Sequence, residues 1–188
     1  MKKALMIGAF AIVSIAGKAQ KLELGLSGGL SFCKDGNTTQ RPDYYGSFRG
    51  AIDLSKWQAG AGIDFLRTGY SLKTVTLSKE PEVISLRRIT YDYTCPNVFV
   101  NRIFGRKNSY LYAGLNAGWS FVQRENYDWV TLDKSTTKYA AFLGGIQAGY
   151  TVYAGKHLGL NAEAGARWLD YRSGVFLFPV SVGMRYLL

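Results

Sequence analysis

The sequence has 188 residues, a formal net charge of +10 at pH 7, two cysteines and one histidine. It contains no Cys-x-x-Cys or Cys/His ligand pattern, which argues against a structural zinc site, and we expect no cofactor. After the first nineteen residues no apolar run approaches the roughly 20 residues of a transmembrane helix, so a membrane crossing would have to be made by strands.

The first segment of the chain predicts a secretory signal peptide. A basic start is followed by an apolar run from Ala4 to Ala16, and small residues surround the expected cleavage after Ala19. At about 13 residues the run is shorter than a membrane-spanning helix, which makes an N-terminal anchor the weaker alternative. We expect residues 1–19 to be removed and residues 20–188 to form the mature domain.

Export would change both the net charge of the mature chain and the partners that this charge predicts. Cleavage would remove Lys2, Lys3 and Lys18 and no acid, which lowers the formal charge from +10 to about +7. Nucleic acid is not expected as a partner in that compartment. The remaining cations would either contact lipopolysaccharide phosphates at the outer surface or keep the loops soluble.

Eight alternating segments follow, each long enough for a tilted membrane strand. Apolar side chains occupy every second position, and glycines, small polar residues and a few charges occupy the others. This period of two predicts strands and not helices. The predicted strands are residues 21–32, 44–54, 57–72, 86–104, 110–122, 138–153, 158–171 and 175–188.

The connections between these segments are alternately long and short, except for a short last loop. The polar loops are predicted at 33–43, 73–85 and 123–137, and the short connections at 55–56, 105–109, 154–157 and 172–174. Bacterial outer-membrane barrels have short periplasmic turns, longer outer loops and both termini in the periplasm. We therefore predict an all-β fold, an eight-stranded antiparallel up-and-down transmembrane β-barrel. A soluble lipocalin-like carrier, with the apolar face as its core, is the alternative.

The fourth predicted strand is the least regular. Pro96 interrupts it and the alternation changes phase there, which predicts a β-bulge. The only cysteines are Cys33 and Cys95, and an exported protein can form a disulfide. Because they belong to strands one and four, which are not neighbours in a simple meander, we expect two separate thiols.

Aromatic residues of the apolar face fall near the two ends of the predicted strands, which is typical of the two membrane interfaces. Near the end that carries the termini they are Trp57, Tyr150 and Tyr186. Near the opposite end they are Phe32, Trp119, Phe121, Trp168 and Phe176.

The charged residues of the mixed face are predicted to point into the barrel. They are Glu23, Arg49, Asp53, Asp64, Glu163, Arg167 and Arg185. Unpaired charges would be costly there, so we expect pairs across strands, with Glu23 and Arg185 at the seam between the first and last strands. Side chains about fill an eight-stranded barrel, which predicts a structural plug and neither a pore nor an active site.

Several stretches resemble the small outer-membrane β-barrel proteins common in Bacteroidetes. They are Tyr91 to Pro96, the short turn 105–109, the strand that begins Tyr110-Leu111-Tyr112-Ala113-Gly114, and the glycine-rich stretches 144–146 and 183–186. The Cys95-Pro96-Asn97 element and the two cysteines depart from that pattern. The resemblance covers most of the mature chain. It implies an outer-membrane location and no specific activity.

We expect a non-enzymatic monomer that serves envelope structure or surface interaction through its outer loops. Its partners would be outer-membrane lipid, lipopolysaccharide and an unknown extracellular partner. Tyr127 and Trp129, an aromatic pair among charges, form a candidate contact patch. The alternative is that these residues extend the fifth and sixth strands above the membrane.

Two other functions remain open on the sequence. A membrane-embedded enzyme that modifies lipid A or phospholipid would need a base beside a nucleophile, but the only histidine, His157, lies in a predicted periplasmic turn. A narrow channel would have a polar path along its interior, with Asp64, Gln147, Glu163 and Arg167 as its lining.

Overall fold

The computed structural model describes residues 21–35, 38–39, 42–76, 83–105, 108–129, 131–170 and 174–188. The expected signal peptide, residues 1–19, lies outside the described residues. The nine strands are β1 (Lys21–Asp35), β2 (Thr38–Thr39), β3 (Asp43–Leu54), β4 (Trp57–Thr76), β5 (Val83–Phe104), β6 (Ser109–Asp128), β7 (Lys134–Ala154), β8 (Leu158–Asp170) and β9 (Val175–Leu187). Within these ranges the chain has no helix that is long and apolar enough to cross a membrane.

Eight long strands form one antiparallel sheet that closes on itself. The strands β1 and β3 to β9 pair in chain order, and β9 also pairs with β1 from Glu23 opposite Leu187 to Asp35 opposite Val175. The two-residue strand β2 pairs only with the end of β1. The predicted eight-stranded antiparallel barrel is confirmed. Closure leaves no unpaired strand edge within the barrel itself.

The period of two decides which side chains face outward. On β9, Phe176, Val182 and Tyr186 are exposed, whereas Leu177 and Arg185 are buried. The same apolar-out pattern runs through every long strand, so a band of exposed apolar side chains surrounds the barrel. A lipocalin-like carrier would have the opposite arrangement. The structure therefore contradicts that alternative.

Strands β1 and β4 to β7 are three to seven residues longer than the sequence predicts, and β1 includes the first three residues of the predicted loop 33–43. Strands β4 to β7 have 20, 22, 20 and 21 residues, whereas β3, β8 and β9 have 12, 13 and 13. The pairing between β3 and β4 ends where Tyr45 is opposite Leu66. The pairing between β7 and β8 ends where Phe142 is opposite Asp170. Beyond these levels β4 to β7 continue to pair only with one another.

We call this four-stranded extension the raised wall, and it comprises residues 67–76, 83–92, 123–128 and 134–141. It corrects two predicted loops. The described parts of 73–85 are strand, with 77–82 outside the described residues. Residues 123–137 are strand except for the connection between Asp128 and Lys134. Of the predicted contact patch, Tyr127 therefore belongs to the extended strand β6, and Trp129 directly follows it.

The predicted bulge at Pro96 is wrong. Between β5 and β6 the pairing stops after Thr94 opposite Phe121 and resumes at Asn97 opposite Gly118, so two residues are skipped on each strand and none is added. The ladder between β4 and β5 is unbroken. Because proline has no N–H, the ladder is interrupted on one side without a change of register.

The apparent change of phase at Pro96 has a different cause. Tyr93, Cys95 and Phe99 all point inward and are buried, so the alternation continues across the proline. Apolar side chains belong to the inner face above Pro96 and mainly to the outer face below it. The polarity of the side chains that line the barrel therefore changes along its axis, whereas the alternation of inward and outward residues on β5 does not change.

Candidate functional site

All seven predicted interior charges lie inside the barrel. Five of them are buried, Glu23, Asp64, Glu163, Arg167 and Arg185, and two are half-buried, Arg49 and Asp53. They occupy the half of the interior that is nearer to the termini and extend to mid-height. Their inward direction follows from the period of two on strands that also place apolar side chains outside.

Glu23 and Arg185 meet at the seam where β1 pairs with β9. The Glu23 Oε1 atom is 2.5 Å from Arg185 Nη1, and Glu23 Oε2 accepts hydrogen bonds from Tyr110 at 2.7 Å and Tyr153 at 2.5 Å. On its other side, the Arg185 guanidinium donates to the Tyr112 hydroxyl at 2.7 Å. The seam is thus closed by side chains as well as by the backbone ladder.

Tyr112 links the seam to the next charged group. Its hydroxyl donates to Glu163 Oε2 at 2.6 Å, and Arg49 Nη1 binds the same oxygen at 2.6 Å. Tyr112 can lie across the interior because the position that it covers on β7 is glycine. A Cβ on Gly149 would be 2.3 Å from the Tyr112 hydroxyl.

Asp64 is the second anionic centre of the network, and it has no exposed surface. Arg167 donates to Asp64 Oδ2, Asn97 donates to the same oxygen at 2.6 Å, and Tyr45 donates to Oδ1 at 2.8 Å. Arg49 Nη2 is 3.5 Å from Oδ1 and so connects the two anionic centres. Three arginines and three carboxylates are therefore directly connected, and the fourth interior carboxylate, Asp53, joins them through Gln58.

Side-chain amides extend this network around the barrel. Gln58 donates to Asp53 at 3.1 Å, Asn101 donates to Gln58 at 3.1 Å, and Gln147 donates to Asn101 at 2.8 Å. Asn116 then donates to Gln147 at 3.2 Å. Gln58, Asn101 and Gln147 each use both their donor and their acceptor, which is how buried polar side chains are stabilised. Asn116 ends the row, and its buried Oδ1 atom has no hydrogen-bond partner among the described residues.

The other half of the interior, beneath the long loops, is apolar. Its buried cluster contains Cys33, Tyr45, Leu66, Ile89, Tyr91, Tyr93, Cys95, Val122, Ala141, Leu143, Leu169, Val175 and Leu177. Leu143 and Leu177 have no exposed surface. This cluster closes the barrel in the same way as the core of a soluble protein.

The two layers leave little free space in the lumen. The cavity beside Arg49, Glu163 and Arg185 has a volume of about 20 Å³, which is room for about one water molecule. Asp64, Gln147, Glu163 and Arg167, the predicted lining of a channel, are hydrogen-bonded to other side chains across the lumen. A side-chain-filled interior is what this geometry supports.

Cys33 and Cys95 are not joined by a disulfide, as expected. Both are buried in the apolar cluster, because side chains of distant strands meet inside a narrow barrel. The Sγ atom of Cys95 is 3.2 Å from the Ser120 hydroxyl oxygen.

The predicted aromatic residues are exposed on the outer face at both ends of the barrel. Near the termini these are Trp57, Tyr150 and Tyr186, and near the loops they are Phe32, Trp119, Phe121, Trp168 and Phe176. Trp119 packs edge-on against Phe142 at 6.0 Å. Phe142 is an exposed aromatic side chain that the sequence interpretation did not include.

The raised wall is charged on both faces. On the outer face Arg67 Nε is 2.6 Å from Asp92, and Lys134 Nζ is 3.2 Å from Glu125. On the inner face Arg87 Nε is 3.1 Å from the Asp128 carboxylate. With charges on both sides, the wall has the composition of a sheet in water.

Tyr127 and Trp129 lie at the tip of the raised wall and contact each other. Their ring centres are 4.8 Å apart at an interplanar angle of 81°, and Trp129 is 55% exposed. Edge-to-face packing fixes the two rings relative to each other. The tip therefore presents a small, ordered aromatic surface.

The contacts of His157 connect the turn between β7 and β8 to the end of β9. Its Nδ1 atom is 2.8 Å from the Leu187 carbonyl oxygen, and its ring stacks on Tyr186 at 5.7 Å. Neither contact supplies the nucleophile that a catalytic base would activate.

Sequence reasoning missed the amides and tyrosines that complete the interior. Tyr45, Tyr110, Tyr112 and Tyr153 bridge the charges, and Gln58, Asn101 and Asn116 join them. The available signal was their common inward phase with the predicted charges. Tyrosine is ambiguous in such a chain because it also occupies membrane interfaces.

The chain is similar in structure to outer-membrane barrels. It superposes on Neisserial surface protein A (NspA) with a TM-score of 0.60 at 9% identity, covering 88% of this chain and 96% of that one. It superposes on the outer membrane protease OmpT from Escherichia coli with a TM-score of 0.55 at 9% identity, covering 90% and 97%. The attachment invasion locus protein Ail of Yersinia pestis gives a TM-score of 0.51 at 14% identity, covering 89% and 97%.

No protein-family model matches the sequence, and no curated protein matches it. At identities this low, the likeness to solved structures shows the fold alone. The chain has the fold of a small outer-membrane β-barrel.

Proposed function

We propose that the protein is an integral outer-membrane barrel that serves envelope structure and surface interaction and has no catalytic role. One observation carries the proposal, the continuous apolar outer face of a barrel whose interior is filled. Exposed apolar surface of this extent is not stable in water but matches lipid. The filled interior favours a scaffold over a pore.

The distribution of strand ends supports one orientation. Both ends of the described barrel lie at one rim with the short connections β3–β4, β5–β6 and β7–β8. The raised wall and the other connections, including the short one between β8 and β9, lie at the opposite rim. Short turns face the periplasm in bacterial outer-membrane barrels. We therefore assign the termini to the periplasm after signal-peptide cleavage, and the raised wall to the cell exterior. The glycine and aromatic spacing of the strands supports membership among the Bacteroidetes-type barrels.

Cations at the loop end support contact with lipopolysaccharide. Lys34 and Lys138 are exposed on the outer face where the apolar band ends, and Arg67 lies at the same rim. This is the depth at which phosphates of the outer leaflet would lie, and surface cations attract such groups. At the tip of the wall, Tyr127 and Trp129 are the candidate contacts for an extracellular partner, because ordered aromatic side chains dominate many interfaces.

The test is heat-modifiable gel mobility of protein recovered from the outer-membrane fraction. A closed barrel stays folded in detergent, so we expect the unboiled band to migrate faster than the boiled one and the circular dichroism to be dominated by β-structure. Protein found in the soluble periplasm without a mobility shift would contradict the membrane assignment. A boiled band shortened by the first nineteen residues would support the expected cleavage.

A further inference from the structure

Arg102 is a cation on the apolar outer face, near the end that carries the termini. It lies opposite Trp57 on β4 and Ala113 on β6, and its guanidinium is 5.0 Å from the centre of the Trp57 ring. The other outward charges of the described strands lie at the opposite rim or on the raised wall. Arg102 is thus set apart from them by the height of the apolar band.

Arg102 has no carboxylate partner among the described residues. A charged side chain that faces lipid is costly unless it reaches the interface or finds an anion. The Trp57 ring holds the guanidinium on the barrel surface by a cation–π contact. The free donors of the guanidinium therefore remain available to an anion from outside the chain.

A groove of about 700 Å³ begins at Arg102 and Trp57. Its floor consists of Ala113, Ala148 and Ala164, which lie side by side on β6, β7 and β8. Larger side chains form the neighbouring row on the side away from the termini, Val100, Leu115 and Ile146. In the register, Leu111 and Tyr150 occupy the row on the other side.

The groove runs obliquely up the barrel. From Trp57 on β4 to Ala164 on β8 it crosses four strand spacings, which amounts to about 19 Å. Trp57 is the first residue of β4, whereas Ala164 is at the middle of β8. With the tilt usual in such barrels, Ala164 lies about 15 Å above the end of the barrel. That rise equals about half of the hydrocarbon thickness, or one leaflet.

We propose that this groove binds one glycerophospholipid of the periplasmic leaflet, with its phosphate on Arg102 and one acyl chain along the alanine floor. The inference rests on the proposed membrane location and orientation. A guanidinium pairs well with phosphate because it offers two parallel donors. On β6 and β7 the alanines leave a depression between two rows of larger apolar side chains, and on β8 it is open on both sides because the flanking residues are Ala162 and Ala166.

A second copy of the chain fits this groove less well. The described outward faces carry their acids, Asp92, Glu125 and Asp170, at the loop end. A copy inserted in the same orientation would place no Asp or Glu side chain of its described outward faces at the level of Arg102. A lipid phosphate supplies the missing negative charge at that depth.

Native mass spectrometry of the folded, detergent-solubilised protein tests the proposal by titration with phosphatidylglycerol. We expect Arg102→Gln, which removes the cation, and Ala148→Leu, which fills the floor, each to weaken binding about tenfold. The matched controls are Lys34→Gln, an outward cation at the opposite rim, and Ala61→Leu, an exposed outward alanine of β4 outside the groove. Both controls should bind as the wild type does.

Equal affinity in all five proteins would show nonspecific lipid adhesion and overturn the proposal. The proposal would also be overturned if the controls Lys34→Gln and Ala61→Leu lost as much lipid affinity as Arg102→Gln and Ala148→Leu. Tighter binding of lipid A than of phosphatidylglycerol, with the same dependence on Arg102, would overturn the assignment to the periplasmic leaflet. Heat-modifiable mobility, measured on each variant, is independent of the groove. Its absence in the wild type would contradict the proposed function instead.

Discussion

At the scale of single residues, Glu23 connects more elements than any other described carboxylate. It lies on β1 and contacts Arg185 on β9, Tyr110 on β6, Tyr153 on β7 and Gln58 on β4. These donors satisfy the hydrogen-bonding capacity of the buried carboxylate, and removing it would leave several buried donors without an acceptor. In addition to the backbone ladder between β1 and β9, Glu23 therefore connects the seam to three further strands at the end of the barrel that carries the termini.

Reversing the charge of one partner should destabilise the seam, and reversing both should restore much of the loss. Glu23→Arg or Arg185→Glu alone leaves like charges buried together, and removal of one partner from such a pair costs about 3–5 kcal/mol. In the double variant the pair is re-formed with opposite polarity. The measurement is the temperature at which the fast-migrating folded band disappears.

A matched control for this pair is Arg67→Glu, because Arg67 and Asp92 form an ion pair that is partly exposed to water. Exposed pairs contribute about 0–1 kcal/mol, so the band should disappear at nearly the wild-type temperature. If the double reversal melts no higher than the single ones, the seam pair does not stabilise the barrel.

The sequence predicted the inward charges but not their partners. Charged residues such as Asp64 and Arg167 are conspicuous in a strand of glycines and apolar residues, so their direction could be inferred from the alternation. Asn101 and Gln147 share the same phase, but uncharged polar residues also occur at exposed positions. Which amide meets which charge depends on the barrel register, and a single strand does not contain that information.

At the scale of secondary-structure elements, β5 shows how a strand tolerates a proline. Pro96 lies opposite Ile63 in an intact ladder with β4, and the pairs that are skipped are those with β6. Pro179 on β9 has the same effect, since pairing with β8 stops at Val180 and resumes at Leu177. In both strands the register continues beyond the proline.

Pro96→Val should therefore stabilise the barrel and leave its register unchanged. Valine restores an N–H on the side that faces β6, and one additional backbone hydrogen bond contributes about 1 kcal/mol. The measurement is the midpoint of urea unfolding in lipid vesicles. Pro42→Val is the control, because Pro42 precedes β3 and belongs to no ladder. A lower midpoint for Pro96→Val would show that the proline shapes the strand.

The lengths of β4 to β7 could not be inferred from the sequence. Within the membrane one face of a strand must be apolar, so the alternation is distinct. In the raised wall both faces carry polar residues, such as Arg87 inward and Arg88 outward, and the signal for a strand becomes weak. Such stretches have the composition of loops, which is why two of them were predicted as loops.

At the scale of the whole molecule, the interior changes from charged and polar near the termini to apolar beneath the loops. The period of two predicted the barrel and its apolar outer face. It did not predict this division, because residues such as Tyr93 and Leu177 have the same character as the outer face. Only their position in a closed barrel shows that they are inside. The lumen is therefore blocked at two successive levels along the barrel axis, by the charged and polar network near the termini and by the apolar cluster beneath the loops.

We expect the protein to produce no steady conductance levels in planar bilayers, because both layers close the lumen. The double variant Leu143→Ala, Leu177→Ala should also be closed, since the charged network lies intact beneath the cluster. Its defect should be one of stability, with about 2–5 kcal/mol lost for each buried leucine. Discrete conductance steps in the wild type would show that the lumen opens.

The raised wall occupies four of the eight barrel strands, and the opposite four end near the apolar band. In the part of the chain that the structure describes, the barrel therefore has a tall side and a low side. A barrel with an even rim presents the same profile after any rotation about its axis, but this one does not. Its rotational position in the membrane decides which neighbours face a charged sheet and which face a low rim. Lateral encounters are consequently directional, even though the membrane-embedded part is nearly cylindrical.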